Sequence, residues 1–339
     1  MKMYLKSGYL NMEEICHSHY TFVFGCGARG IGKSYGVWQT VMKDAIRSGR
    51  KFIYLRITAD ELDTISSAEG NPIDDLPEYK GLTYFKSINK HMQGIYYQDK
   101  LIGVSCALTT FAKVRSGMSF KDYDLIFFDE FIRESHQHKI KKLGEALKQL
   151  YETVNRNREL EGQDPVKLIC MSNALDFNND ILMEFGIIEV LRRLKQTGQE
   201  FYFNNPRSLM VIYPQHSPIS GKKAKTALYK LDEGDYAKMA LQNEFRDFFE
   251  GNVKSMNLKG FRPMYIFDNM CFYRSVNADR IWYVTETRKG EFHECYKNTN
   301  YERIQFLKKH IRLHDVYYSG KMLFETAKLE LQFTNLISC

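Results

Sequence analysis

The eight residues GARGIGKS at 27–34 constrain this chain more than any other stretch. They fit the phosphate-binding loop pattern of a glycine, four residues, then Gly-Lys-Ser. Gly27, Gly30 and Gly32 can take positive φ without a Cβ clash, so the backbone can curl and aim successive N–H groups at one anion. Lys33 is placed to reach the outer phosphates of a nucleotide and Ser34 to put its hydroxyl on Mg²⁺. The helix that opens there presents its positive dipole end to the same ligand. Ala28, Arg29, Ile31 and Tyr35 complete the expected nucleotide-binding stretch. TFVFGC at 21–26 reads as a buried strand feeding the loop, and 33–48 as the helix leaving it, stopped at Gly49. That strand, loop and helix order is the context the motif requires.

A second signal lies about a hundred residues on. Residues 125–128 form a fully apolar strand ending in Asp129-Glu130, the form of a Walker B element. Asp129 would hold Mg²⁺ through its water shell or through Ser34, and Glu130 would orient and activate the attacking water. VKLICM at 166–171 is another buried strand, ending in Ser172-Asn173-Ala174. Polar residues at the carboxyl end of a central strand face the crevice where ligands sit in open α/β sheets. Asn173 is the candidate γ-phosphate sensor, with a plain strand-ending turn as the alternative.

The remaining pattern surrounds these elements. KFIYLRIT at 51–58 reads as a second strand, so the chain opens as a βαβ unit with a parallel sheet. Residues 60–80 read as a helix and loop excursion, followed by short strands at 83–88, 92–97 and 101–108, the last two forming a hairpin. They make an insertion in the sheet or at its edge. Tyr4, Tyr9 and Tyr20 in the first twenty residues are placed to flank the nucleotide base. Apolar residues at helical spacing predict an amphipathic helix over 139–158. Counting about 100° per residue, Arg156 falls roughly 160° from its apolar stripe and Arg158 about 40°.

At 339 residues there is room for about two domains. The expected division is 1–203 for a nucleotide-binding domain, 204–250 for a linker region with helices, and 251–339 for a small α+β domain. The linker is marked by Pro206, Pro214, Pro218 and the basic tract with Lys222, Lys223 and Lys225. Beyond it come aromatic strands at 264–273, 280–287 and 291–296 and two helical patterns at 301–313 and 320–333. Asp268, Asp279 and Glu286 are the main strand-region acids there, and Asp268-Asn269 reads as a hairpin turn. A two-metal nuclease needs several converging carboxylates, so no cutting activity is expected.

Charge and cysteine narrow the setting. Residues 251–339 carry 14 Lys plus Arg against 9 Asp plus Glu, +5 of the chain's +7. That excess suggests a polyanionic partner, with a solvated basic surface as the alternative. Lys222, Lys223 and Lys225 are candidates for phosphate contact, since a flexible basic segment can track a backbone without reading bases. Seven cysteines without a CxxC pair point to reduced thiols rather than a disulfide framework. No apolar run approaches the eighteen or so residues that span a bilayer, so no membrane association is expected.

Taken together, GARGIGKSY, IFFDEFIRE at 126–134, TVNRNRE at 153–159 and ICMSNA at 169–174 resemble the DNA-encapsidation ATPases of phi29-like podoviruses. The resemblance implies an ASCE-type P-loop parallel sheet flanked by helices, joined to a C-terminal domain of vestigial ribonuclease-H-like fold. It implies ATP and Mg²⁺ as ligands, and a ring, commonly pentameric, that works on the portal vertex of an empty procapsid and drives double-stranded DNA inward. The setting would be the host cytoplasm. A packaging RNA is a further partner that some members use. Lys33 and Ser34 would be Walker A residues, Asp129 and Glu130 Walker B, Arg156 the arginine finger, and Arg115 a charge reaching a neighbour's nucleotide. Cys26, which precedes Gly27, departs from the pattern at the strand-to-loop join. Two other readings share the motifs: a helicase-like ATPase of replication, and a nucleotide-binding switch without turnover, against which Glu130 speaks.

Overall fold

Short apolar segments alternating with helices dictate a largely parallel sheet whose two faces must both be covered. The computed structural model describes residues 2–337 apart from 28, 67–69, 115–117, 134–139, 141, 174–178, 215–219, 232–251 and 278–280, and without the side chains of 223 and 229. The chain divides into two compact units, Met1–Arg246 and Asp247–Cys339.

The first unit contains β1 (Phe22–Cys26), β2 (Lys51–Arg56), β3 (Thr83–Asn89), β4 (Met92–Tyr97), β5 (Lys100–Ala107), β6 (Tyr123–Asp129), β7 (Lys167–Ser172), β8 (Phe201–Asn204) and β9 (Leu209–Ile212). Its helices are α1 (Met12–Cys16), α2 (Lys33–Ser48), α3 (Ala59–Ile65), α4 (Leu143–Asn155), α5 (Asp180–Glu184), α6 (Ile188–Thr197), α7 (Ser220–Lys223) and α8 (Ala227–Leu231). All nine strands join one sheet in the order β3-β4-β5-β2-β6-β7-β1-β9-β8. The six from β5 to β9 run parallel, and β3, β4 and β8 add antiparallel edges.

Alternation along the central strands sends side chains to both faces. Val23, Phe127 and Ile169 share a core with Val37, Trp38 and Val41 of α2, where the Trp38 ring lies 4.6 Å from Tyr54 and 5.6 Å from Phe127. Phe22 meets Tyr151 of α4 at 5.0 Å, and Phe24 meets Phe185 at 5.2 Å. Two helices that flank a parallel sheet in this way leave the carboxyl ends of the strands as the open rim.

Three boundaries differ from the sequence expectation. Residues 209–212, inside the stretch read as linker, form β9, a fully buried strand beside β1. The run LMVI is four apolar residues without alternation, which suits a strand covered on both faces, but it is short and set among prolines. The helix expected over 139–158 ends at Asn155, whose side chain accepts from Val166 N at 2.8 Å and donates to Glu159 at 2.9 Å. That buried amide offers the backbone an alternative to another helical turn.

The second unit supplies the third difference. It holds β10 (Phe261–Phe267), β11 (Met270–Ser275), β12 (Trp282–Thr285), β13 (Glu294–Tyr296) and β14 (Met322–Phe324), with α9 (Asn300–Lys309), α10 (Arg312–Tyr318) and α11 (Ala327–Ile337). The stretch 264–273 is two strands joined by the hairpin turn expected at Asp268-Asn269, where Asp268 has φ 57°. β14, read as the start of a helix, is a parallel neighbour of β12. The sheet order is β13-β10-β11-β12-β14, and Phe306, Phe267, Phe272, Phe324 and Phe333 fill its core.

Candidate nucleotide site

The phosphate loop curls because three of the six residues joining β1 to α2 are glycines at positive φ. Gly27, Gly30 and Gly32 have φ of 83°, 78° and 84°, in the left-handed region that costs other residues about 1–2 kcal/mol. Gly32 caps α2, and a Cβ there would also stand 3.4 Å from the Tyr9 ring. The loop is propped from outside by Leu10, whose N–H donates to the carbonyl of the fully buried Ile31 at 3.1 Å. Cys26 stays in register as the last residue of β1, opposite Ser172, and Gly27 N–H continues the ladder to Ser172 at 3.0 Å. Burial pushes the Cys26 thiol up to about 12, so it remains neutral at this join.

β7 stands between β1 and β6, and this order builds the site. Cys26 pairs with Ser172 across one ladder, and Asp129 with Met171 across the other, so three strands end level. Gly25 in β1 leaves the space that Met171 occupies; a Cβ there would meet Met171 Sδ at 2.5 Å.

Lys33 is 4% exposed, and its ammonium donates to Gly27 O and, at 2.9 Å, to Asn173 Oδ1. Asn173 Nδ2 in turn donates to Glu130 Oε1 at 2.6 Å. The other Glu130 oxygen accepts from Asn173 N and from Ser172 Oγ, each at 3.2 Å. Ser34 Oγ donates to Asp129 Oδ1 at 2.7 Å. The motifs picked out separately therefore meet in two hydrogen-bonded groups, Ser34 with Asp129, and Lys33 with Glu130 through Asn173.

Burial dominates the electrostatics of the site. Burial pushes Lys33 down to about 8, against the pull of Glu130, Cys26 and Asp129. Burial and the neighbouring Glu130 push Asp129 up to about 6, although Ser34, Arg56 and Lys33 oppose the shift. Glu130 also has φ 52°, a conformation that non-glycine residues seldom adopt and that clusters at functional sites.

Arg156 is exposed and caps α4 with φ 47° and ψ −124°. Arg158, by contrast, is 6% exposed and donates to Tyr123 O at 2.8 Å and Asp164 O at 3.0 Å. Tyr123 opens β6 and Asp129 closes it, so this end of α4 lies about 20 Å along the strand from the chain's own acids. Tyr35 is 47% exposed and Arg29 is half-buried, close enough for its charge to oppose that of Lys33. Lys222 and Lys225 are exposed on α7 and the turn after it. Ala28, Arg115 and the Lys223 side chain lie outside the described residues. Of the N-terminal tyrosines only Tyr9 lies at the loop; Tyr4 bonds Glu200 at 2.6 Å and Tyr20 bonds Asn205 at 2.8 Å.

Sequence reasoning passed over Arg56 and Tyr54. Arg56 Nη1 lies 3.7 Å from Asp129 Oδ2, and Tyr54 donates to the same oxygen at 3.4 Å. Arg56 ends β2, the strand beside β6, so the crevice rule that singles out Asn173 applies to it equally.

A loop of the phosphate-binding pattern between a parallel strand and its helix, with acids at the end of a nearby strand, sits in an α/β protein built on one large, mostly parallel sheet. Residues 4–337 match the family described as podovirus DNA encapsidation protein (Gp16), and the chain belongs to that family. It is 28% identical over 242 residues to the DNA packaging protein of Bacillus phage phi29, covering 71% of this chain and 67% of that protein. With the DNA packaging protein of Bacillus phage B103 it shares 30% over 224 residues, 66% of this chain and 63% of that one. Its fold resembles a chain of the bacteriophage Phi-29 viral genome packaging motor assembly, with a TM-score of 0.66, 20% identity and 98% of each chain covered. Among the described residues no helix is long and apolar enough to cross a membrane.

Proposed function

We propose that this chain hydrolyses ATP to drive double-stranded DNA into a preformed procapsid, acting as one subunit of a ring, commonly pentameric in this family, at the portal vertex in the host cytoplasm. The packaging role rests on family membership. The reaction rests on one observation, the convergence of Lys33, Ser34, Asp129, Glu130 and Asn173 at the ends of β1, β6 and β7.

Lys33 would exchange its bonds to Gly27 and Asn173 for the outer phosphates, and it enters that role already stripped of water. Ser34 and Asp129 fit a hard cation: a hydroxyl and a carboxylate whose oxygens lie 2.7 Å apart. Mg²⁺ held there would neutralise charge developing on the phosphates. Glu130, fixed by Asn173 and Ser172, would take the proton of the attacking water. Arg156 is exposed at the end of α4 and would complete a neighbour's site, as an arginine finger does. Arg115 is a second candidate for a neighbour's nucleotide, and Lys222, Lys223 and Lys225 for the DNA backbone.

The second unit would be a vestigial ribonuclease-H-like domain that binds without cutting. Glu286 pairs with Lys328 at 3.1 Å, Glu294 with Lys309 at 2.6 Å, and Asp268 sits in a turn. Among the described residues no three His, Cys, Asp or Glu side chains gather in a metal-binding group, and Asp279 lies outside them.

Steady-state phosphate release by the full chain with Mg²⁺, duplex DNA and empty capsids tests the reading. Lys33→Ala and Asp129→Ala should abolish turnover by weakening Mg-ATP binding. Activity that survives Lys33→Ala, strand separation on a forked duplex, or metal-dependent duplex cleavage would each remove part of the proposal.

A further inference from the structure

A cavity of about 580 Å³ opens on the outer side of the phosphate loop, against Gly30, Gly32 and Tyr35. Three stretches far apart in sequence wall it: the segment with Tyr9, the first turns of α2 with Gln39, and Glu78-Tyr79 from the loop before β3. We propose that it receives the purine base of the bound nucleotide, and that Gln39 and Glu78 select adenine over guanine. The inference rests on the nucleotide-binding reading of the loop.

The size falls in the range of small-molecule sites, about 300–1,000 Å³. Tyr9 and Tyr79 supply aromatic wall against which a base can pack. Both are held from behind. Tyr9 is fixed by the Leu5 N–H to Tyr9 O bond at 2.8 Å and by the tie from Leu10 to Ile31. Tyr79 donates its N–H to Leu76 O and accepts from Leu82 N, each at 3.0 Å, and its ring meets Tyr97 edge-on at 6.1 Å. Ile73 and Leu76 are buried beneath that turn, and Gly81 N–H donates to Asp74 at 3.3 Å. The aromatic wall therefore stands on a braced support.

The polar chemistry makes the choice. Gln39 Nε2 donates to Glu78 Oε1 at 3.4 Å, which turns the nitrogen side of the amide toward the carboxylate. What remains at that edge is an acceptor, the second carboxylate oxygen, beside a donor, the second amide N–H. Adenine offers the matching pair, an amino N–H donor next to the N1 acceptor. Guanine and hypoxanthine offer the reverse, a carbonyl acceptor next to an N1–H donor. For a base held in one orientation by its phosphates, the reversed edge sets donor against donor and acceptor against acceptor, although Gln39 and Glu78 are both exposed and keep water as a partner.

Turnover of ATP, GTP and ITP by the full chain with Mg²⁺ tests this. The wild type should prefer ATP in kcat/KM by roughly 10- to 100-fold, the discrimination a bidentate base contact gives. Glu78→Ala and Gln39→Ala should each lose most of that preference, with the loss falling on KM for ATP rather than on kcat. GTP or ITP used as well as ATP by the wild type, or a preference undiminished in both variants, overturns the assignment and leaves the ATPase reading standing. Nucleotide binding that survives Lys33→Ala fails the underlying loop reading instead.

Discussion

Acids in the two units of this chain meet opposite fates. In the first, Asp129 and Glu130 stand side by side at the end of β6, and burial with their mutual repulsion pushes Asp129 up to about 6. In the second, burial alone would push Glu294 up, but bonds from Lys309, Tyr296 and His310 hold it down at about 2. Glu330, wholly buried, accepts from Tyr317 at 3.0 Å and Asn252 at 2.9 Å, and Glu325 accepts from Thr285. One unit gathers like charges at a cost that a ligand can relieve; the other gives Glu286, Glu294, Glu325 and Glu330 partners of their own. Like charges concentrated in a crevice mark a site of chemistry, and dispersed, paired charge marks a scaffold.

The largest effect that would sharpen this contrast is expected at Arg156. Arg156→Ala should lower ATP turnover by about 10³ to 10⁵. Mixed with Glu130→Gln subunits it should regain activity, because each subunit supplies what the other lacks. Mixed rings that form and remain inactive would put the trans assignment aside. Next, Glu130→Gln should cost about 10² to 10⁴ in kcat while Mg-ATP binding persists, read by phosphate release and by nucleotide binding on the same preparation. Near-normal hydrolysis would return Glu130 to the structural class.

On the other side of the comparison, Phe306→Ala removes a 1%-exposed ring packed 5.1 Å from Phe267 and 5.6 Å from Phe272. It should destabilise the second unit by about 3–5 kcal/mol. In a thermal scan its transition should fall while Lys33-dependent nucleotide binding by the first unit survives. Loss of both together would show that the two cores are not independent.

The smallest effects are those of pH. Asp129 binds its proton more tightly folded than unfolded, so its contribution to stability falls as pH rises from about 4 through about 6. Asp129→Asn should therefore raise the melting temperature of the metal-free protein above pH 6, even as it harms turnover with Mg²⁺. Glu294 behaves in the opposite way: its contribution is full above about 4.5 and is lost as pH falls toward 2. Glu294→Gln should flatten the acid side of the second unit's stability profile, measured by denaturant unfolding from pH 5 to pH 2.

Legibility in the sequence followed the range of the interactions. The phosphate loop and α2 could be read to the residue because they answer to local rules: positive φ at Gly27, Gly30 and Gly32, and a stop at Gly49 with φ 73°. Strand β6 and its acids were legible for the same reason. The ends of α4 and of the first unit were not. Asn155 ends the helix with its side chain on Val166, and β9 is drawn into the parallel sheet by the edge of β1. Neither cause lies in the residues next to it.

What the sequence by itself determined is the chemistry available: a phosphate cradle, a buried lysine, two adjacent acids and an amide at a strand end, each set by a motif shorter than ten residues. Their connection was decided by the tertiary structure. Placing β7 between β1 and β6 puts Asn173 within hydrogen-bond reach of Lys33 and Glu130 together, across 140 and 43 residues of chain. Strand order is fixed by which apolar faces must be covered over the whole sheet, a sum over many distant contacts that no local window contains.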